Sequence, residues 1–195
     1  MTHEPLIAYI EAKSMLTLTE ADKELVNTAF KMKHLRKRQY LLQEGDVCKN
    51  MAFIVQGAGR MYALKDNGQE NIIRLAVEGW WLGDYESYNL DTPSIYCIDM
   101  TEDSDVLLVS RKDMVELTKA VPAVDLMVRA IDRNGAIATQ KRVHAAISLD
   151  AGERYEQLAN TYPYLISRFP QNMIASYLGI SPETLSRVRN SQWQK

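Results

Sequence analysis

The chain has 195 residues, 46% of them hydrophobic and 25% charged, with a net charge of −2. That is enough apolar material for one large core or a medium domain with a smaller one, and no run approaches the ~20 apolar residues of a membrane span. The opening MTHEPLIAYIEAK lacks the basic and apolar regions of a secretion signal, and Cys48 and Cys97 form no metal-spaced cluster, so free thiols in a reducing cytoplasm are expected.

Pro5 can start a short helix carrying Leu6, Ile7 and Ile10. Thr19 with Asp22 reads as a capping box ahead of Leu25, Val26, Ala29 and Phe30. From about Met32 the period shortens. Gln39–Leu42, Met51–Val55, Arg60–Leu64, Asn71–Leu75, Tyr96–Asp99 and Val106–Ser110 are short runs of strand formers. Turn residues separate them: Gly45-Asp46, Gly57 to Gly59, Asp66-Asn67-Gly68, Gly79, Gly83-Asp84 and Asp91 to Pro93. Asn67-Gly68 predicts a two-residue type I′ hairpin, which needs positive φ at both central residues. Many short strands at near-regular spacing imply a closed or sandwiched antiparallel sheet.

At Ser110 the pattern turns helical, with Ser110 to Asp113 as a further cap. Pro122 can open a long helix to about Ser148. Along it Val124, Val128, Ile131, Gly135, Ala138, Arg142 and Ala145 recur four and three apart, the seam spacing of a two-helix coiled coil. Small Gly135 and Ala138 would let two backbones approach. A homodimer along Val124, Val128, Ile131, Gly135 and Ala138 is expected; the alternative is that the stripe packs on the chain's own sheet. Asp150 can cap another helix with Leu158 inward, and Tyr162–Pro170 reads as a short extended link.

Asn172–Asn190 holds two short helical patterns across a tight turn. Met173, Ile174, Ala175 and Leu178 share one helix face, and Gly179 suits the left-handed C-terminal position. Ser181 can cap a second helix with Pro182 at its first position. Leu185 and Val188 point inward, which leaves Glu183, Ser186, Arg187 and Asn190 together on the opposite face. An apolar-backed helix with such a face is what reads base edges in a major groove. The bland alternative is an αα-hairpin with a solvated outer face. From Arg133 onward eight Lys and Arg stand against four acids, +4 on a front part carrying −6, the asymmetry expected of a sensor joined to a DNA-binding module.

The order of these parts resembles the Crp/Fnr superfamily of bacterial transcription regulators. The resemblance is carried by Gln43-Glu44-Gly45-Asp46, Phe53-Ile54 with Gly57, Arg60-Met61-Tyr62, Gly68-Gln69-Glu70, Gly79 with Gly83-Asp84, and Gly179-Ile180-Ser181-Pro182-Glu183-Thr184-Leu185-Ser186-Arg187, and it covers nearly the whole chain. It implies an α+β chain: an N-terminal antiparallel β jelly-roll of cyclic-nucleotide-binding type over 1–121, a long dimerisation helix over 122–148, and a C-terminal helix-turn-helix domain over 149–195. It also implies a homodimer on a palindromic operator in double-stranded DNA, with RNA polymerase as a further candidate partner. Glu183 and Arg187 fall on the family's principal base-reading positions, and Ser186 falls where the Fnr branch also has a serine. A carboxylate can accept from cytosine N4, and a guanidinium can clamp guanine O6 and N7. Ser181, Thr184 and Asn172, near helix N-termini, suit phosphate contacts. Pro182 departs from members with a base-reading arginine there.

Members that bind cyclic nucleotides use a Gly-Glu pair for the ribose and an arginine for the phosphate. Here the pair becomes Gly83-Asp84, and Ser94–Met100 offers no arginine. A buried phosphate without a cation is costly, so cyclic nucleotide is not expected. Gly83, Asp84, Tyr85 and Tyr96 remain as a pocket for another small-molecule effector; the alternative is that the aromatics of Trp80–Tyr88 are core and cap. Two cysteines cannot hold an iron–sulfur cluster. An enzyme on a double-stranded β-helix would need a facial set of His and carboxylates, which His3, His34 and His144 do not supply. No catalytic residue, metal or cofactor is expected. An adaptor acting on a partner protein rather than DNA stays open as the second functional class.

Overall fold

The computed structural model describes residues 3–192, with side chains through Asn190. Two helices lead in, α1 (Glu4–Ser14) and α2 (Glu20–Ala29). Eight strands follow, with one helix among them: β1 (Lys31–Leu35), β2 (Tyr40–Leu42), β3 (Asn50–Gln56), β4 (Gly59–Leu64), β5 (Glu70–Ala76), β6 (Trp81–Leu82), α3 (Tyr85–Leu90), β7 (Cys97–Met100) and β8 (Ser104–Ser110). The chain then stays helical through α4 (Arg111–Ala120), α5 (Pro122–Ser148), α6 (Ala151–Thr161), α7 (Pro163–Arg168), α8 (Gln171–Leu178) and α9 (Pro182–Gln192).

All strand pairs are antiparallel and form two sheets, in the orders β1-β8-β3-β6 and β2-β7-β4-β5. Alternation along each strand sorts side chains into three layers. Ala52 and Ile54 of β3 and Val106 of β8 point between the sheets, where they meet Leu35, Met61, Leu82, Ile98 and Met100. Phe53, Leu107 and Val109 point the other way and meet Leu6, Ile10, Val26, Phe30, Leu117, Val124 and Met127 from α1, α2, α4 and α5. On the second sheet Tyr62, Ile72 and Leu75 face outward and meet Tyr155, Leu158, Leu165, Phe169, Ile174, Leu178 and Leu185 of the C-terminal helices. Both faces of the jelly roll are covered, which is why its strands read as near-continuous apolar runs.

Thr19 and Asp22 form the capping box, Ser110 accepts from the Asp113 N–H, and Asp150 with Glu153 forms a second box. The Asp66-Asn67-Gly68 turn differs from the expected I′ form: only Gly68 has positive φ (78°), and a three-residue loop is closed by the Gly68 N–H donating to the Lys65 carbonyl and the Lys65 N–H donating to the Gln69 carbonyl. That loop is a type I turn completed by a glycine, and it spares Asn67 a left-handed backbone. Tyr162–Pro170 also differs, since most of it is α7. Pro163 opens that helix, and Leu165 is buried under it.

Gly57 joins β3 to β4 at φ 104°, and a Cβ there would lie 2.1 Å from the Ser104 hydroxyl. Gly57→Ala is therefore expected to cost at least about 1–3 kcal/mol, measured as a lowered urea midpoint with an unchanged slope.

Candidate nucleic-acid interface

The two C-terminal helices meet as the residue pattern requires. α8 turns Ile174, Ala175 and Leu178 inward, all buried. Gly179 takes the left-handed conformation at φ 69°, and its N–H and that of Ile180 bond back to Ser176 and Ala175 carbonyls. These are the paired bonds of a Schellman motif. The Ser181 hydroxyl accepts from the Thr184 N–H at 3.2 Å and so caps α9. Leu185, at 1% exposure, anchors α9 to the core, with half-buried Val188 beside it.

Glu183, Ser186, Arg187 and Asn190 are all exposed, as are Ser181 and Asn172, while Thr184 is half-buried. The Arg187 guanidinium donates to the Thr184 hydroxyl at 3.2 Å, which steers it along the helix surface rather than leaving it to sweep through water. The Ser181 hydroxyl, helped by the Arg187 charge, holds the Glu183 carboxyl below its ordinary value. It is an ionised acceptor at neutral pH. Ser186 and Asn190 also line a cleft of about 260 Å³ with Gln171 and Arg189. The last two were missed from sequence; the signal available was the position of Gln171 in the first turn of α8, beside Asn172.

The helix pair is docked on the sensor. Ser176 of α8 accepts from the Ile72 N–H at 2.9 Å and donates to the Glu70 carbonyl at 3.0 Å, so it occupies the open edge of β5 as a further strand would. Arg168 reaches Glu78 with two bonds, at 2.6 and 2.7 Å, and also pairs with Glu102. Although burial opposes ionisation, Arg168 and the Gly57 N–H hold the Glu78 carboxyl below its ordinary value. Trp80 meets Tyr162 edge-on.

The candidate effector residues are already engaged. Gly83 lies against Met51. Asp84 is buried and accepts from the Glu86 N–H and, at 2.7 Å, from the Ser94 hydroxyl. Tyr85 is exposed and donates to Asp132 of α5, and Tyr96 is half-buried. Trp81 is a core residue packed against Tyr9, Phe30 and Phe53. Cys48 and Cys97 are buried free thiols. Among the described residues no His, Cys, Asp or Glu cluster could hold a metal, and no helix is long and apolar enough to cross a membrane.

The expected seam on α5 needs correction at its first half. Val124 is fully buried in the chain's own core, and Val128 and Ile131 pack against that core. Val124 is closed to a second copy, whereas Val128 and Ile131 stay half-buried where α5 runs beside α1 and α4. Gly135 and Ala138 are exposed, and Arg142 of the same stripe turns back to the Ile73 carbonyl. The opposite stripe is open: Val143 is 52% exposed and Ile147 79%.

Residues 32–120 match the cyclic nucleotide-binding domain family. In fold the chain is similar to a CooA variant from Carboxydothermus hydrogenoformans (TM-score 0.72, 16% identity, 94% of this chain and 83% of that one). It is thus similar in fold to regulators of the Crp/Fnr type. FixK2 from Bradyrhizobium japonicum superposes with a TM-score of 0.69 at 18% identity, over 85% of each chain. In sequence the chain is similar to a probable transcriptional regulator, flp, of Lacticaseibacillus casei, 23% identical over 154 residues that make up 73% of this chain and 68% of that one. In this fold α9 lies at the far side of the second sheet, which holds its back and leaves its front open.

Proposed function

We propose that this chain is a dimeric, sequence-specific DNA-binding transcription regulator of the Crp/Fnr type, of the cytoplasm and not an enzyme, with a sensor that does not take cyclic nucleotide. Its working parts are the sensor (1–121), a dimerisation helix (122–148) and a DNA-binding unit (149–195). The observation that carries the reading is the division of α9: Leu185 is sealed in the core while Glu183, Ser186 and Arg187 stand in solvent. In the proposed complex Glu183 and Arg187 read base edges, Ser186 and Asn190 lie beside them, and Ser181, Thr184 and Asn172 meet phosphates. Gln171 and Arg189 join the same surface. The divergent sensor is supported by the absence of arginine from Ser94–Met100 and by the Ser94 hydroxyl being spent on Asp84.

The reading is tested by fluorescence anisotropy on a palindromic promoter fragment recovered with the protein from cells. Arg187→Ala is expected to lose roughly 1–3 kcal/mol of discrimination at one base pair of each half-site. The same variant should unfold at the wild-type temperature, because Arg187 is exposed. Undiminished discrimination would remove α9 as the reading element.

A further inference from the structure

The two sheets of the jelly roll part along one side. β1 pairs only with β8 and β2 only with β7, so each is the edge of its sheet, and both border a cleft of about 610 Å³. That is the size of a small-ligand site, roughly 300–1,000 Å³. Its apolar wall is formed by Leu41 and Leu42 of β2, Leu108 of β8 and Val47 of the loop between β2 and β3. Leu42 belongs to the inter-sheet core, and Leu41 and Leu108 pack against it. Cys48, at 4% exposure, lines the cleft as well. One residue breaks the apolar pattern. Alternation along β1 puts Lys33 on the same face as Leu35, and across the ladder it stands opposite Val106; both of those side chains lie in the inter-sheet core. Lys33 can carry a charge on that face because the sheets part there, and it lines the cleft. Lys49 and Asp46 complete the rim, and two lysines against one aspartate leave one net positive charge beside the apolar wall.

We propose that this cleft binds a small amphiphilic monoanion, a carboxylate carried on an apolar body. The chemistry fits that class. An ammonium is a compact point charge with rotatable donors, suited to a single carboxylate, and it lacks the planar fork with which arginine clamps a phosphate. The leucines and Val47 take the body out of water, and one net positive charge calls for one negative charge on the ligand. Gly83, Asp84, Tyr85 and Tyr96 are not part of the lining, so the site is separate from the stretch whose polar groups are already bonded within the sensor. It nevertheless reaches α3. The Cys48 N–H donates to the Ser87 hydroxyl at 2.8 Å, and Tyr85 of the same helix donates to Asp132 of α5. A ligand against Cys48 therefore sits one hydrogen bond from the helix that touches α5.

The site is read without DNA, so it stands or falls apart from the regulator reading. Octanoate is titrated into the full-length protein by calorimetry and thermal unfolding, with acetate and octanol alongside. Saturable octanoate binding with a raised Tm is expected. Acetate lacks the body and octanol the charge, so each should bind at least about tenfold more weakly. Lys33→Gln should weaken octanoate binding roughly tenfold. Leu41→Glu, which sets a like charge in the wall, should abolish it, while Lys65→Gln in the turn between β4 and β5 leaves it unchanged. Without ligand, Lys33→Gln should unfold at the wild-type temperature, because Lys33 is exposed, so weaker binding by that variant is not loss of the fold. Octanoate should also slow alkylation of Cys48 by iodoacetamide but not that of Cys97, which packs on the other face of the second sheet. Octanol binding as tightly as octanoate, or undiminished binding by Lys33→Gln, would show that Lys33 only guards the sheet edge against strand pairing, and would overturn the proposal. The absence of saturable octanoate binding would overturn it too.

Discussion

Arg60→Met should cost the folded chain about 3–5 kcal/mol, the range for removing one partner of a buried ion pair. Arg60 of β4 and Asp99 of β7 are direct cross-strand partners, and their side chains are 11% and 7% exposed. The guanidinium donates to both Asp99 oxygens, at 2.7 and 3.0 Å, and its remaining edge takes Glu70 of β5. It also lies over Tyr62, 4.4 Å from the ring centroid. Burial opposes the charge, but the two carboxylates more than offset it, and the guanidinium is held above its ordinary value. Three strands of the second sheet are thus joined by one cation. Removing it strands Asp99 as a buried anion with no counterion. The methionine keeps the volume, so packing loss is the smaller part. Arg60→Met with Asp99→Asn should recover much of the stability, because the stranded charge goes too. Glu70→Gln should cost less than Asp99→Asn, since Glu70 is 40% exposed. Urea unfolding checks all four variants, and a loss below about 1 kcal/mol in Arg60→Met would show the pair to be no better than a surface one. The same sheet presents Tyr62, Ile72 and Leu75 to the C-terminal helices, so a loosened β4–β5–β7 ladder should also weaken their docking.

The second large effect concerns the proposed dimer. Val143→Glu and Ile147→Glu are expected to give a folded monomer whose operator affinity is lower by about 10²–10⁴, the advantage that tethering a second half-site confers. Val128→Glu and Ile131→Glu should instead lower the unfolding temperature, because those side chains pack on the chain's own core. On α5 the residues Ala136, Gln140, Val143 and Ile147 follow at intervals of four, three and four and lie within about 60° on a helix of 3.6 residues per turn. All four are exposed. Sedimentation at several concentrations reads the assembly, and anisotropy on the operator reads the affinity. A wild-type monomer, or full operator affinity in the Ile147→Glu variant, would remove the dimer from the proposal.

Much of the chain was legible wherever a local rule acts. Thr19, Ser110, Asp150 and Ser181 cap helices because a short side-chain oxygen reaches the amide two or three residues on, whatever lies around it. Gly179 ends α8 because that backbone position suits glycine. The outward face of α9 followed from the spacing of Leu185 and Val188. Elements without a pattern were missed. β1 buries only Leu35 of its five residues and shows no alternation. β6 has two residues, and α3 has six, started by the Asp84 cap inside a stretch read for its aromatics. Gln171 and Arg189 escaped notice because a cleft between helices has no signature in either helix alone.

The sequence by itself determined the order of parts, the caps and turns, and which side of the last helix carries Glu183 and Arg187, since each depends on residues within a turn or two of one another. Only the tertiary structure decided what α5 does with its two stripes. Both have the spacing of a seam, and spacing cannot say which surface will cover a helix. The first core takes Val124, Val128 and Ile131, Arg142 is drawn to the edge of β5, and Ile147 is left exposed. The meeting of Arg142 with the Ile73 carbonyl, 69 residues apart in the chain, was decided there as well, because proximity between distant positions comes from packing and leaves no local trace.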